Sequence, residues 1–172
     1  EAMVTFVRQA KRFSIPYLYD PAQHIPELNG KQLKEAVEGA EIVIGNDYEI
    51  ALIMEKAKIP KSQLLKRTKV LVTTLGKQGS LIETDNQRIQ VGVVKPKAIV
   101  DPTGAGDAYI AGLIAGYTRQ LPLQICGQLG TTAATYAIEQ YGTQNHSFTM
   151  KEFNDRYRKA FHSSPLSFWG GA

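Results

Sequence analysis

An alternation of short strand-like runs with helix-period segments limits this chain's fold more than any other feature. The apolar runs "IPYLYDP", "EIVIGN" and "KVLVTTL" carry β-branched and aromatic residues and stop at turn signals, as strands do. Between and around them, "EAMVTFVRQAKRF", "NGKQLKEAVEGA", "DYEIALIMEKA" and the short "KSQLLKRT" read as helices. Met3, Phe6, Val7 and Ala10 form the apolar stripe of the first helix, Leu33 and Val37 that of the second. "GSLIET" and "QRIQVGVV", parted by Asp85-Asn86, predict an antiparallel hairpin. An extended lead-in at Ala98–Val100 precedes a Gly-rich turn, a helix over Ala105–Arg119 and a second, small-residue helix over Leu123–Gln140. A last helix, Thr149–Phe161, opens on Thr149 and Glu152 at capping-box spacing. The pattern predicts an α/β fold: a mostly parallel sheet flanked by helices on both faces, with a β-hairpin.

In such sheets ligands bind beyond the carboxyl ends of the strands. Three segments are expected there: "GND", "TTLG" and "PTGAGD". The last one asks for chemistry. A helix N-terminus presents unpaired N–H groups and about half a positive charge. Gly104, Ala105 and Gly106 would strip bulk from that end, so that an anion approaches closely. A carboxylate at Asp107 is out of place in a mere phosphate site but suits a base that takes a proton from an attacking hydroxyl. The plain alternative is a tight turn with an acid complementing the helix dipole. Asn46 and Glu49, three apart, could hold Mg²⁺ waters against phosphates, or could be an N-cap and a first-turn acid. Thr74, Gly76 and Gly79 could admit a nucleotide or simply make a turn. The dinucleotide pattern G-x-G-x-x-G and the Walker sequence are both absent, "LGKQGS" having the wrong spacing and leading into a hairpin.

Bulk properties exclude other classes. Lys and Arg are scattered despite a net charge of +4, so Lys56–Lys69 and Arg156–Lys159 read as solvated helix faces and no nucleic-acid partner is expected. Cys126 is the single cysteine, which excludes an internal disulfide and suits a reducing compartment. With neither a signal peptide nor an apolar run of roughly 18 residues, no membrane partner is expected and the cytoplasm is the expected location. Residue 1 is Glu, so the sequence is expected to open partway through something longer or after processing.

Taken in order, N-x-x-E, T-x-G-x-x-G and D-P-T-G-A-G-D resemble the ribokinase (PfkB) family of carbohydrate and nucleoside kinases, from Glu1 to about Phe161. "DPAQHIPELNG", "NDYE" and "YAIEQYGTQNH" look most like bacterial adenosine kinase-like members. The resemblance implies ATP-dependent phosphorylation of a hydroxymethyl group on a nucleoside, adenosine first, or on a sugar. It implies that Asp107 is the base and that Gly104, Ala105 and Gly106 form the anion hole. Asn46 and Glu49 would arrange Mg²⁺ and phosphates, Thr74, Gly76 and Gly79 the ATP-side loop, and Thr131 would fall near the adenine pocket. Asp101, Thr103 and Gly142 would border a monovalent cation, usually K⁺. Residues 1–161 then correspond to the C-terminal, ATP-side portion of a kinase domain, with 162–172 an irregular tail. The family's N-terminal half, with its substrate contacts, lid and often a dimer interface, is not in this sequence. The isolated chain is therefore expected to be a poor catalyst, and a non-catalytic nucleotide-binding remnant is the alternative.

Overall fold

The computed structural model describes residues 2–164. Five strands neighbour one another in chain order: β1 (Leu18–Tyr19), β2 (Ile42–Asn46), β3 (Val70–Thr74), β4 (Ser80–Glu83) and β5 (Arg88–Val91). The first three are parallel, with Ile42 opposite Val70 and Asn46 opposite Thr74. A turn closed by Thr84 N–H on Gln87 O, at 2.9 Å, joins β4 to β5, and so short a link forces the antiparallel sense. The sheet is thus mixed. The helices are α1 (Ala2–Arg12), α2 (Gly30–Val37), α3 (Asp47–Ala57), α4 (Lys61–Leu65), α5 (Ala105–Tyr117), α6 (Leu123–Ile138) and α7 (Met150–Phe161), with 3-10 turns at Ala22–Glu27 and Gly76–Gln78.

The chain divides into two compact units, one running to Gly76 and including Leu81–Arg88, the other comprising Lys77–Ser80 and Ile89 onward. In the first, Leu33 and Val37 of α2, Ile53 of α3, Leu64 of α4, Val43 of β2 and Leu71 of β3 are fully buried together. The β2 and β3 runs are buried throughout except at their last residues, as parallel strands covered on both faces should be. In the second unit α5 and α6 pack backbone to backbone. A Cβ on Gly112 would stand 2.5 Å from Leu129 O, and one on Gly130 2.9 Å from Tyr109 O. Leu129, Ala133, Ala137, Phe153 and Tyr157 form the core there. Cys126 is fully buried, and burial pushes its thiol up to about 11.

Four expectations need correction. Ala98–Val100 is not a strand. Pro96 and Pro102 cannot donate to a ladder, and the N–H groups of Val100 and Asp101 go instead to Ile138 O, at 2.8 and 3.2 Å. Phe6 lies off the stripe and is 67% exposed, the contact being centred on Val7. β1 is two residues long, and a 3-10 turn follows Pro21 before α2 begins. β5 ends at Val91, so Gly92–Val94 leave the ladder. Of the expected tail, 162–164 lie outside any helix or strand, and 165–172 lie outside the described residues.

Candidate functional site

In the first unit, β2 delivers Asn46 directly to the start of α3. Asn46 Oδ1 accepts the Glu49 N–H at 2.8 Å, and Glu49 Oε2 accepts the Asn46 N–H at 2.7 Å. This reciprocal capping box satisfies two otherwise unpaired donors. It also leaves Glu49 Oε1 and the Asn46 amide nitrogen unused by the box itself. Sequence reasoning missed Gly45, where a Cβ would come within 3.1 Å of Glu49 Oε2 and press on this carboxylate. Thr74, opposite Asn46 across the ladder, ends β3 half-buried, and Gly76 follows with φ +53°. Asn46, Glu49, Thr74 and Gly76 therefore share one end of the parallel strands.

In the second unit, α5 starts differently. Its N-cap is Gly104 at φ +81°, and no side chain caps the helix. Gly104 lies against Thr143, whose Cα would be 3.1 Å from an added Cβ, whereas a Cβ on Gly106 would meet open space. Ala105 N–H closes the turn on Pro102 O at 3.2 Å, and Ala108 N–H is the first to bond within the helix, to Gly104 O at 3.0 Å. Asp107 is exposed, in the first turn of α5. The turn is held by Asp101. One of its carboxylate oxygens accepts Thr103 N–H at 2.9 Å, and the other accepts Gly142 N–H at 3.0 Å. Hydrogen bonds from the Thr103 hydroxyl, the Thr103 N–H and the Gly142 N–H hold this carboxyl below its ordinary value. Asp101, Thr103 and Gly142 are thus brought together by the Asp101 side chain, a role the sequence did not reveal.

Gly79 also lies in this unit, at φ +87°, where a Cβ would stand 2.0 Å from Val91 O, so the close backbone by itself requires glycine. Thr131 is buried in α6, and its carbonyl accepts the Thr135 hydroxyl at 2.7 Å. Two residues brace the lead-in: Glu139, which escaped sequence reasoning, and Arg156, which was expected on a solvated helix face but is largely buried. Glu139 accepts Lys97 N–H at 2.6 Å and pairs with Arg156 at 2.9 Å. Among the described residues no cluster of three or more His, Cys, Asp or Glu could hold a metal ion. Nor is any described helix long and apolar enough to cross a membrane.

The model of the pfkB family of carbohydrate kinases matches residues 1–150. The chain belongs to this family. It is 30% identical over 141 residues to a nucleoside kinase of Methanocaldococcus jannaschii, covering 82% of this chain and 47% of that protein. Against a nucleoside kinase of Methanothermobacter thermautotrophicus it is 36% identical over 129 residues, covering 74% and 41%. The solved nucleoside kinase of Burkholderia thailandensis in complex with inosine superposes with a TM-score of 0.92 at 28% identity, over 94% of this chain and 54% of that one. The fold is therefore ribokinase-like, and the chain spans about half the length of the relatives it matches.

Proposed function

We propose that the protein carrying this chain is an ATP-dependent nucleoside kinase, and that these residues supply its phosphate-side half. The observation that carries the reading is the start of α5: a left-handed glycine N-cap without a side-chain cap, open space at Gly106, and a carboxylate in the first turn. The N–H groups of Gly104, Ala105 and Gly106 stabilise the charge on the transferring γ-phosphoryl group. Asp107 takes the proton from the acceptor's hydroxymethyl group. The alkoxide oxygen bonds to the γ-phosphorus as the bond to the β–γ bridging oxygen breaks, and ADP leaves.

The residues fit Mg²⁺ only in an indirect manner. With one Glu49 oxygen committed to the capping box, Asn46 and the other Glu49 oxygen would hold the metal through its waters. The metal supplies charge neutralisation on the phosphates. The loops joined by Asp101 offer the Asp101, Thr103 and Gly142 carbonyls for a monovalent cation, K⁺ first. Thr74, Gly76, Gly79 and Thr131 are assigned to the nucleotide side.

The resemblances to nucleoside kinases favour a nucleoside acceptor, adenosine and inosine being the first to try; a sugar is the alternative. The test uses the full natural chain with a panel of nucleosides and sugars, alongside Asp107→Asn. Turnover on the preferred nucleoside is expected to fall by about 10²–10⁴ in the variant while nucleotide binding persists. Unchanged turnover would remove Asp107 from the chemistry, and preference for a sugar would replace the acceptor.

A further inference from the structure

We propose that the Glu139–Arg156 pair is the positioning element of the Gly-rich turn. The proposal rests on the functional reading given above. Between β5 and α5 the chain runs through Ala98–Val100 without a ladder to hold it, and Ile99 and Val100 are exposed, so little apolar burial fixes it either. Its hold comes from the end of α6. Glu139 Oε1 accepts the Lys97 N–H at 2.6 Å, and Ile138 O accepts the N–H groups of Val100 and Asp101. Asp101 then clamps Thr103 and Gly142, and Gly104 follows directly.

Glu139 is itself fixed from the other side. Its Oε2 accepts from Arg156 Nη2 at 2.9 Å, with the two side chains only 10% and 12% exposed. The Arg156 guanidinium lies 3.9 Å from the centroid of the Tyr136 ring, which packs against Phe148 and Phe153. A charged, largely buried carboxylate with both oxygens committed is a strong and directional acceptor. It connects α7 and α6 to the segment that sets where the Gly104–Asp107 turn stands. Phosphoryl transfer depends on such placement, and a 1 Å shift far from the chemistry can cost about 10²-fold in rate. Glu139 and Arg156 are thus positioning residues, acting through the backbone of Lys97–Thr103.

The test compares wild type, Glu139→Ala and the isosteric Glu139→Gln in the full natural chain, by amide hydrogen exchange and by steady-state kinetics. In Glu139→Ala, exchange at Lys97, Thr103 and Gly142 is expected to rise about tenfold or more while amides inside α5 and α6 keep their protection. Turnover at saturating ATP is expected to fall about 10- to 100-fold, with the KM for ATP changing far less. Glu139→Gln, which keeps an acceptor for Lys97, should recover part of both losses. Unchanged exchange at Thr103 and Gly142, or a loss shared equally by all of α5 and α6, overturns the proposal. If Glu139→Ala does not fold, Glu139→Gln decides by the same three amides. Should the exchange respond as stated in a protein that phosphorylates no nucleoside or sugar, the positioning role stands and the kinase reading falls.

Discussion

Two helix starts in this chain are built in opposite ways. At α3 the donors are consumed internally: Asn46 and Glu49 bond each other's backbone, so sequence has closed the end with side chains. α2 and α7 close in the same manner, with Asn29–Gln32 and Thr149–Glu152. At α5 the position that carries Asn or Thr in α2, α3 and α7 carries a left-handed Gly104, and no side chain returns to the backbone; α4 and α6, which follow Pro60 and Pro122, also start without a side-chain cap. A glycine in place of an Asn or Thr cap costs only about a few tenths of a kcal/mol, so the uncapped start at Gly104 is cheap in stability. What the omission leaves is a start that no side chain covers, with the Ala105 N–H turned onto Pro102 O and the exposed Asp107 carboxylate close by. The capped starts satisfy their own donors with side chains, whereas the α5 start has no side-chain cap and is where we propose that a phosphate binds.

The largest effect that could break this contrast is expected at Gly104. Gly104→Val must hold a β-branched residue at φ +81° while pressing its Cβ on Thr143, a strain of roughly 1–2 kcal/mol from the backbone alone. Nucleotide affinity should fall by more than this loss of stability accounts for; equal losses in thermal unfolding and nucleotide titration would mean an ordinary turn. Next comes Asn46→Ala, which should lower stability by about 1 kcal/mol and also reduce turnover. Its control is Asn29→Ala, which opens the α2 capping box at a comparable cost of about 1 kcal/mol and should leave turnover per folded molecule unchanged. Similar kinetics for the two variants would reduce Asn46 to a cap.

The smallest effect concerns acid. Because the Asp101 carboxyl is held below 3.8, its clamp is present above that pH and is lost only as the pH falls through the lower folded value. The Gly142 amide should keep its protection as the pH is brought from 5 to 4, and losing it in that interval would argue against the clamp.

Most elements were legible because their signals are local. The strands β2 and β3 are unbroken apolar runs. α7 announces itself by a capping box whose partners are three residues apart, and both the bonds and the box appear in the structure. N-x-x-E at 46–49 was legible to the same depth, as a cap. What escaped depends on distant partners. The Ala98–Val100 run looks like a strand, but its donors face the end of α6, far along the chain. Glu139 has partners 42 and 17 residues away, so no window of sequence contains its role. Asp101 was expected only beside a monovalent cation, whereas its carboxylate joins two loops, with Gly142 lying 41 residues on.

The most direct test of the open helix start needs no turnover. Backbone amide signals of the protein, titrated with ATP and Mg²⁺, should shift most at Gly104, Ala105 and Gly106, while those of Asn29–Gln32 and Thr149–Glu152 stay in place. Shifts that spare the α5 start, or that fall equally on the capped starts, would contradict the account.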